Sequence, residues 1–462
     1  MRVQVLGGSP PHLSRDGIGP IGMLLPDLGI LVDYGIGHRR LPEGEAVITP
    51  FPIPADQEIR YVILTHIHND HAGLVPWVMK RFPKAELVTT LPTLELGRAV
   101  WSDLHAIGRR RGYPGLVPWN TSLYEEICRR TIIVREPGWT HLAKGARVYF
   151  GPNGHVRGSA YVVIESDGKR VAWSGDVSYY DTPTVLGMKA ENVPDEVRGV
   201  DALFLESTHG DREVEPRSNL VDHEMNPAIN ETLFSGGIAL EVALSIERAQ
   251  DVALDQVRGG ILPVYLDSKL AEIAWKIYLS KEGSWSPNDI PIDPVLAKRV
   301  ISIHDRAGEE DGSDFREKLL RSGKALSIVS SAGSLQGGPS VSWAKRVLPD
   351  PRSLIVQCNY QFEGTPGADL EKYREGVSLD LGGTLVSVKS RVLRVDLSAH
   401  AGRSALRKIA SWFEPKRLIL YHGIWSACRH LQRHIMRPIA LGRPSTLERP
   451  PEIPVNGELI EI

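Results

Sequence analysis

His66-Ile-His-Asn-Asp-His71 follows directly on Tyr61-Val-Ile-Leu-Thr65, and the reading of these two stretches decides the fold. The apolar run has the length and β-branched content of a short buried strand. Side chains alternate across a strand, so His66 and His68 can leave its end on the same side. Asp70 and His71 fall at the start of a predicted helix over Ala72–Arg81 and can turn back to the same point. Three imidazoles and one carboxylate within six positions suit Zn(II), with Mn(II) or Fe(II) as alternatives. The segment reads as a metal site at the mouth of a sheet.

The rest of the chain is compatible with a large enzyme. At 462 residues it exceeds the roughly 250–300 at which one hydrophobic core stops growing, so two domains are expected. A net charge of −2 gives no global pull toward polyanions. A nucleic acid would therefore be held by local patches, such as Arg109-Arg110-Arg111 and Arg129-Arg130, or by metals. Three scattered cysteines, Cys128, Cys358 and Cys428, without CxxC spacing, argue against a disulfide framework and against thiolate-bound zinc. No apolar run approaches a membrane span, and Met-Arg-Val-Gln-Val at the start reads as a strand, so a cytoplasmic protein is expected.

Short apolar stretches bounded by Gly, Pro or Asp recur through the first 200 residues, among them Arg147–Phe150, Tyr161–Glu165, Arg170–Ser174 and Ala202–Glu206. Their spacing predicts two stacked sheets with helices outside. Beyond about residue 209, helical patterns at Leu220–Phe234, Ser245–Val257 and Ser268–Tyr278 alternate with the strand-like Ile261–Leu266, Ala325–Val329 and Ser353–Gln357. That alternation predicts a parallel α/β domain. Strand signals return near Thr384–Leu397 and at Arg417–Tyr421. The organisation expected is a sandwich interrupted by an inserted α/β domain.

Further polar residues stand at strand ends: His155 after Phe150-Gly-Pro-Asn-Gly, Asp176 after Val171-Ala-Trp-Ser-Gly, Glu206, His400 and His422. Each alone suits a turn or an ordinary histidine. A sandwich, however, gathers its strand ends along one edge, where binding loops collect.

This set resembles the metallo-β-lactamase superfamily in its beta-CASP nuclease branch, which includes the endonuclease subunit of the cleavage and polyadenylation factor and, more distantly, ribonuclease J. The superfamily motifs correspond to Asp33 in Leu31-Val-Asp-Tyr-Gly, the 66–71 cluster, His155, and Asp176 in Ser174-Gly-Asp-Val-Ser. The branch motifs correspond to Glu206 in Glu-Ser-Thr-His-Gly-Asp-Arg, His400 in Leu397-Ser-Ala-His-Ala, and His422. Ser330-Ser-Ala-Gly-Ser-Leu-Gln-Gly-Gly-Pro-Ser340 and Asn359-Tyr-Gln-Phe-Glu-Gly-Thr365 resemble the branch's inserted domain. Ser334 and His209 depart from it, where Met and Tyr are common.

The resemblance implies an αββα sandwich from residues 1–209 and 386–462, with a beta-CASP domain inserted at 210–385. It implies two metals, Zn(II) or else Mn(II), bridged by Asp176. One would be held by His66, His68 and His155, the other by Asp70, His71 and His422. His400 would act as general acid, Glu206 would orient it, Asp70 would orient or deprotonate water, and Asp33 would support the ligands. Ser330, Ser331, Gly333, Gly337 and Gly338 would face phosphate, as backbone N–H groups before a helix start can. His422 at the last motif favours RNA over DNA, again by resemblance. His209 is read as a packing or substrate-contact residue, and the other histidines, His12 among them, as ordinary.

The activity implied is a metal-dependent ribonuclease on single-stranded RNA, with a homodimer allowed and no membrane partner. Two other readings stay open from the residues themselves: a hydrolase of small esters or thioesters on the same fold, and a non-catalytic RNA-binding subunit.

Overall fold

The computed structural model describes residues 1–9, 19–41, 44–113, 115–307, 312–361, 363–370, 372, 377–437 and 446–462; His12 and Phe362 lie outside these. Two mixed sheets form the sandwich. The first runs in the order Leu459–Glu461, Arg2–Gly7, Gly22–Leu25, Ile30–Tyr34, Tyr61–Ile63, Glu86–Thr90, Thr131–Val134. The second runs Arg417–Tyr421, Ala202–Glu206, Lys169–Trp173, Ala160–Ser166, Arg147–Pro152, Gly138–His141.

Strict alternation along each strand builds the layers. Val148, Phe150, Val162, Ile164, Trp173 and Phe204 turn inward to meet Val3, Val5, Val32, Ile63 and Val88 of the first sheet. The intervening Tyr149, Tyr161, Val163 and Leu203 face outward, under Leu406, Ile409 and Leu431 of two covering helices. On the opposite side, Leu31, Val62 and Leu87 pack under Val75, Val78, Leu94 and Trp101. The αββα expectation holds.

The inserted part is a six-stranded sheet in the order Val300–Ser302, Val264–Asp267, Leu326–Ser330, Ile238–Val242, Leu354–Gln357, Arg391–Arg394. Every pairing in it is parallel, as strand-helix alternation predicts. It is not loosely tethered. Ile246, Ala274 and Tyr278 share a core with Leu94, Val100 and Trp101 of the sandwich. Backbone hydrogen bonds from Leu186 N to Asn288 O and from Ile290 N to Thr184 O, both 2.8 Å, stitch the two parts together.

The structure differs from expectation behind the histidine cluster. In place of one helix over 72–81 there are two, Asn69–Ala72 and Val75–Arg81. Pro76 explains the break, because proline cannot donate to the carbonyl four residues back and clashes with it, yet it fits a first turn. Leu74 N turns instead to Tyr34 O at 2.9 Å. Asp70 and His71 thereby sit inside a short helix aimed at the site. Arg130 is also not a free cation: its guanidinium donates to Met79 O, Phe82 O and Ala85 O and pairs with Glu126. The three cysteines are free thiols. Among the described residues, no helix is long and apolar enough to cross a membrane.

One buried acid makes a stability prediction. Glu241, on a central strand of the inserted sheet, is fully buried, with Ser327 Oγ 3.4 Å from one oxygen and no hydrogen-bond partner for the other. Burial pushes its carboxyl from 4.5 up to about 8. The unfolded chain therefore ionises first, and stability drains away as pH climbs through the window from about 4.5 to about 8. Glu241→Gln should raise the unfolding temperature at pH 8–9 by about 2–4 °C and change it little near pH 5. Thermal unfolding of both proteins across that range checks this, and parallel pH profiles would refute it.

Candidate metal centre

The polar strand ends converge at one edge of the sandwich. Tyr61–Ile63 leads to His66 and His68, Arg147–Pro152 to His155, Lys169–Trp173 to Asp176, and Arg417–Tyr421 to His422. The ligand atoms of His66, His68, His155 and Asp176 lie within 4.8 Å of one another, as do those of Asp70, His71 and His422. Asp176 joins the two groups. Its Oδ2 is 3.5 Å from both His66 Nε2 and His155 Nε2, while its Oδ1 is 3.3 Å from His71 Nε2 and 3.2 Å from His422 Nδ1.

Four of the five imidazoles, all but His68, have a ring nitrogen held by a neighbouring group, the usual way a tautomer and ring orientation are fixed. His66 Nδ1 meets Thr65 Oγ1 at 3.1 Å, and His155 Nδ1 meets Ala399 O at 3.0 Å. His71 Nδ1 meets Asp33 Oδ2 at 2.7 Å. His422 Nδ1 has Thr208 Oγ1 at 3.1 Å, and its Nε2 faces Asp70 Oδ2 at 3.1 Å. Asp33 also accepts from Thr65 N and Thr65 Oγ1, both at 2.8 Å. Asp33 and His422 hold left-handed backbone, φ 53° and 51°, a strain that persists only where surrounding structure enforces it. Thr65, Thr208 and Ala399 were not singled out in the sequence, where a threonine beside a cluster or a backbone carbonyl carries no distinctive signal.

The donor set fits divalent cations. His66 Nε2, His68 Nε2 and Asp176 Oδ1 are buried with no hydrogen-bond partner, which costs free energy unless something positive binds there. Burial keeps His66 and His155 neutral, and brings His68 down to about 3, so their nitrogens present lone pairs. Burial also opposes charge on His71, but Asp176 and Asp33 outweigh it and raise its pKa well above normal. The field that holds a proton on His71 is one that would attract a cation.

Beside this cluster, His400 Nδ1 lies 3.0 Å from Glu206 Oε1, and the His400 ring packs 4.7 Å from that of His155. Glu206 is fully buried and accepts from Val177 N and Thr208 N, each at 3.0 Å. Burial works against a charged His400, but the Glu206 carboxylate reverses this and lifts the pKa to about 9. His209 Nε2 is 2.7 Å from Ser398 Oγ, its Nδ1 accepts from Arg212 Nε at 3.2 Å, and its ring is 5.7 Å from that of His400.

The serine–glycine loop sits at the end of Leu326–Ser330 in the inserted sheet. Ser330 Oγ donates to Asp267 O at 2.8 Å, whereas Ser331 Oγ lies among Ser268 Oγ at 2.7 Å and Ser245 Oγ at 2.8 Å. Gly338, with φ 72°, caps the helix Pro339–Val347. A Cβ at Gly333 would collide with Asn359 Oδ1, while Gly337 faces open space.

Comparison with known proteins agrees with this architecture. Residues 54–202 match the Metallo-beta-lactamase superfamily, 239–370 the Beta-Casp domain, and 385–440 the Zn-dependent metallo-hydrolase RNA specificity domain. An RNase J-like protein of Methanocaldococcus jannaschii is 27% identical over 88% of this chain and 90% of its own length. The transcription termination factor FttA of the same organism is 26% identical over 93% of this chain and 68% of its own. The fold is shared with a crystal structure of a protein of unknown function from Enterococcus faecalis V583, at TM-score 0.56, 15% identity and 99% coverage of both chains. Motifs, layers and matches coincide along the chain, which belongs to the metallo-β-lactamase superfamily and, within it, to the beta-CASP branch.

Proposed function

We propose that this protein is a ribonuclease that hydrolyses phosphodiester bonds of single-stranded RNA with two divalent cations, Zn(II) or else Mn(II). The observation that carries the reading is the pair of ligand groups sharing Asp176, with the Glu206–His400 pair alongside. His66, His68, His155 and Asp176 would hold one cation, and Asp70, His71, His422 and Asp176 the other. Such a pair polarises the phosphoryl oxygens and brings water within reach of ionisation at neutral pH.

The remaining work falls to the chain. Asp70 can orient the attacking water and take up its proton. The leaving alkoxide needs a proton, and His400 is placed to donate it from Nε2 while Glu206 holds Nδ1–H. Asp33 fixes His71 through Nδ1, so that Nε2 points inward. Ser331 and the backbone of Gly333, Gly337 and Gly338 are proposed as RNA-phosphate contacts, with Ser330 bracing their turn through Asp267. The catalytic sandwich is taken as 1–209 with the chain that returns to it after Leu397, and the inserted domain as starting at 210 but running past the expected end at 385, because Arg391–Arg394 pairs in its sheet and Val395 and Leu397 pack in its core; a cleft between the two parts is proposed to admit a single strand. The names of the relatives, an RNase J-like protein and a probable RNase, support RNA as substrate. The protein is proposed as cytoplasmic, with a homodimer allowed.

Purified protein incubated with labelled single-stranded RNA in linear, 5′-monophosphorylated, 5′-triphosphorylated and circular forms tests this. Cleavage of linear RNA should vanish with chelator and return with Zn(II) or Mn(II). Cutting of the circle would assign endonuclease action; dependence on a 5′ end would assign exonuclease action. Hydrolysis of a generic thioester with RNA left intact would overturn the proposal, as would RNA binding without turnover by metal-loaded protein.

A further inference from the structure

Arg157 stands two residues after His155 and is almost completely buried, at 2% exposure. Arginine is rarely buried without an acidic partner, yet this guanidinium donates to three backbone carbonyls. Nη1 reaches Tyr278 O at 3.0 Å and Gly283 O at 3.2 Å, and Nη2 reaches Ile290 O. All three carbonyls belong to the inserted domain. Tyr278 lies in the last turn of the helix Lys269–Leu279, so the cation meets the negative end of a helix dipole, with the Tyr278 ring 5.1 Å away. The main chain of the same residue is held too. Arg157 N donates to Glu247 Oε2 at 3.2 Å, and Glu247 also accepts from Tyr278 Oη and Thr184 Oγ1. Glu247 is itself fully buried in left-handed backbone, φ 69°.

Among the described residues, the other bonds of the turn that carries His155 lie within the sandwich, and the His155 ring is held by Ala399 O at 3.0 Å. Asn153 Oδ1 accepts from His155 N at 3.3 Å and from Ser159 Oγ at 2.5 Å, and Gly158 O accepts from Thr90 Oγ1 at 2.7 Å and Thr93 Oγ1 at 3.1 Å. Arg157 links this turn to the inserted domain. His155 Nε2 lies 3.1 Å from His68 Nδ1 and 3.5 Å from Asp176 Oδ2, so slack in the turn acts directly on that ligand group. Among the described residues, Arg157 makes no hydrogen bond to Asp70, His71 or His422.

We infer that Arg157, seated on the inserted domain and backed by Glu247, is a positioning residue that holds His155 for the cation shared by His66, His68 and Asp176. The inference rests on the two-cation reading above. It makes docking of the inserted domain a determinant of affinity at one of the two positions and not at the other.

The test loads wild type, Arg157→Met, Arg157→Lys, Glu247→Gln and Asn192→Ala with zinc and dialyses them against graded chelator. Zinc per chain is read by mass spectrometry and folding by thermal unfolding. Asn192→Ala is the control, since its side chain crosses the same interface to Asn288 at 3.0 Å without bonding to the turn. Arg157→Met should release one zinc at about 10–100-fold lower chelator, the range for residues that support a ligand, and keep the other at the wild-type level. Arg157→Lys should fall between, and Asn192→Ala should unfold earlier yet release zinc as wild type does. Equal release of both zincs by folded Arg157→Met and wild type would overturn the inference, as would an equal loss in Asn192→Ala. Should Arg157→Met fail to fold, Glu247→Gln carries the same expectation in the same direction, and unchanged release there overturns it. A wild type that holds fewer than two zincs defeats the two-cation reading itself, and does so in a different lane of the experiment.

Discussion

Asp176→Ala should leave the protein folded, without its pair of cations, and slower on RNA by at least about 10³-fold, since cation pairs in such sites clamp both reacting oxygens. The size of the effect follows from the carboxylate's position. One oxygen serves His66 and His155, the other His71 and His422. Removing either flanking histidine strips one position; removing Asp176 strips both and takes away the anion between two dications. His68→Ala is therefore expected to lose one cation and most activity, and Asp176→Ala to lose both. Asp176→Asn separates charge from shape, because it preserves volume while halving what the group offers a metal, and it should resemble Asp176→Ala. Metal content by mass spectrometry, alongside turnover of labelled RNA, decides the matter. An Asp176→Ala protein that retained two cations would remove the central assumption of the proposed function.

The site was legible in the sequence because its side chains sit at the ends of short, largely apolar strands. Tyr61–Ile63, Ala202–Glu206 and Arg417–Tyr421 are buried along their length apart from Arg417, so a polar residue at the end of such a run stands out. The order of the layers followed from the same alternation. Less visible was anything set by contacts distant in the chain. The 21-residue helix Leu91–Arg111 carries its apolar side at Leu94, Leu96, Gly97, Val100, Trp101 and Leu104, interspersed with charge, and its Thr90 cap and closing Gly112 are modest signals. The helix break at Pro76 was readable in principle but was masked by the apolar run around it. Arg157 gave no signal, since an arginine in a glycine-bearing turn resembles any surface residue until partners 121 to 133 positions away enclose it. The same holds for Thr65, whose value lies in Asp33 and His71 being brought to it by two other elements.

His400→Ala should behave oppositely to Asp176→Ala with respect to metal. His400 is held by Glu206 at Nδ1, and the proposed ligand groups are complete without it, so both cations should remain. The rate on RNA should nevertheless drop by about 10²–10⁴-fold, the usual worth of a positioned proton donor. A drop alone would fit several roles, so the leaving group is the decisive variable. An RNA ribose oxygen departs as a basic alkoxide and needs a proton, whereas a nitrophenolate leaves unaided. On a nucleotide nitrophenyl ester, His400→Ala should therefore lose less than about tenfold. Glu206→Gln should show a milder version of the same pattern, because it weakens the carboxylate that lifts His400 to about 9 but retains a side chain able to receive Nδ1–H. Equal losses on RNA and on the activated ester would instead make His400 a substrate-positioning group, and full activity on RNA would remove it from the chemistry altogether. The contrast between the two alanine variants is what separates holding a metal from moving a proton at a site where both residues lie within one cluster.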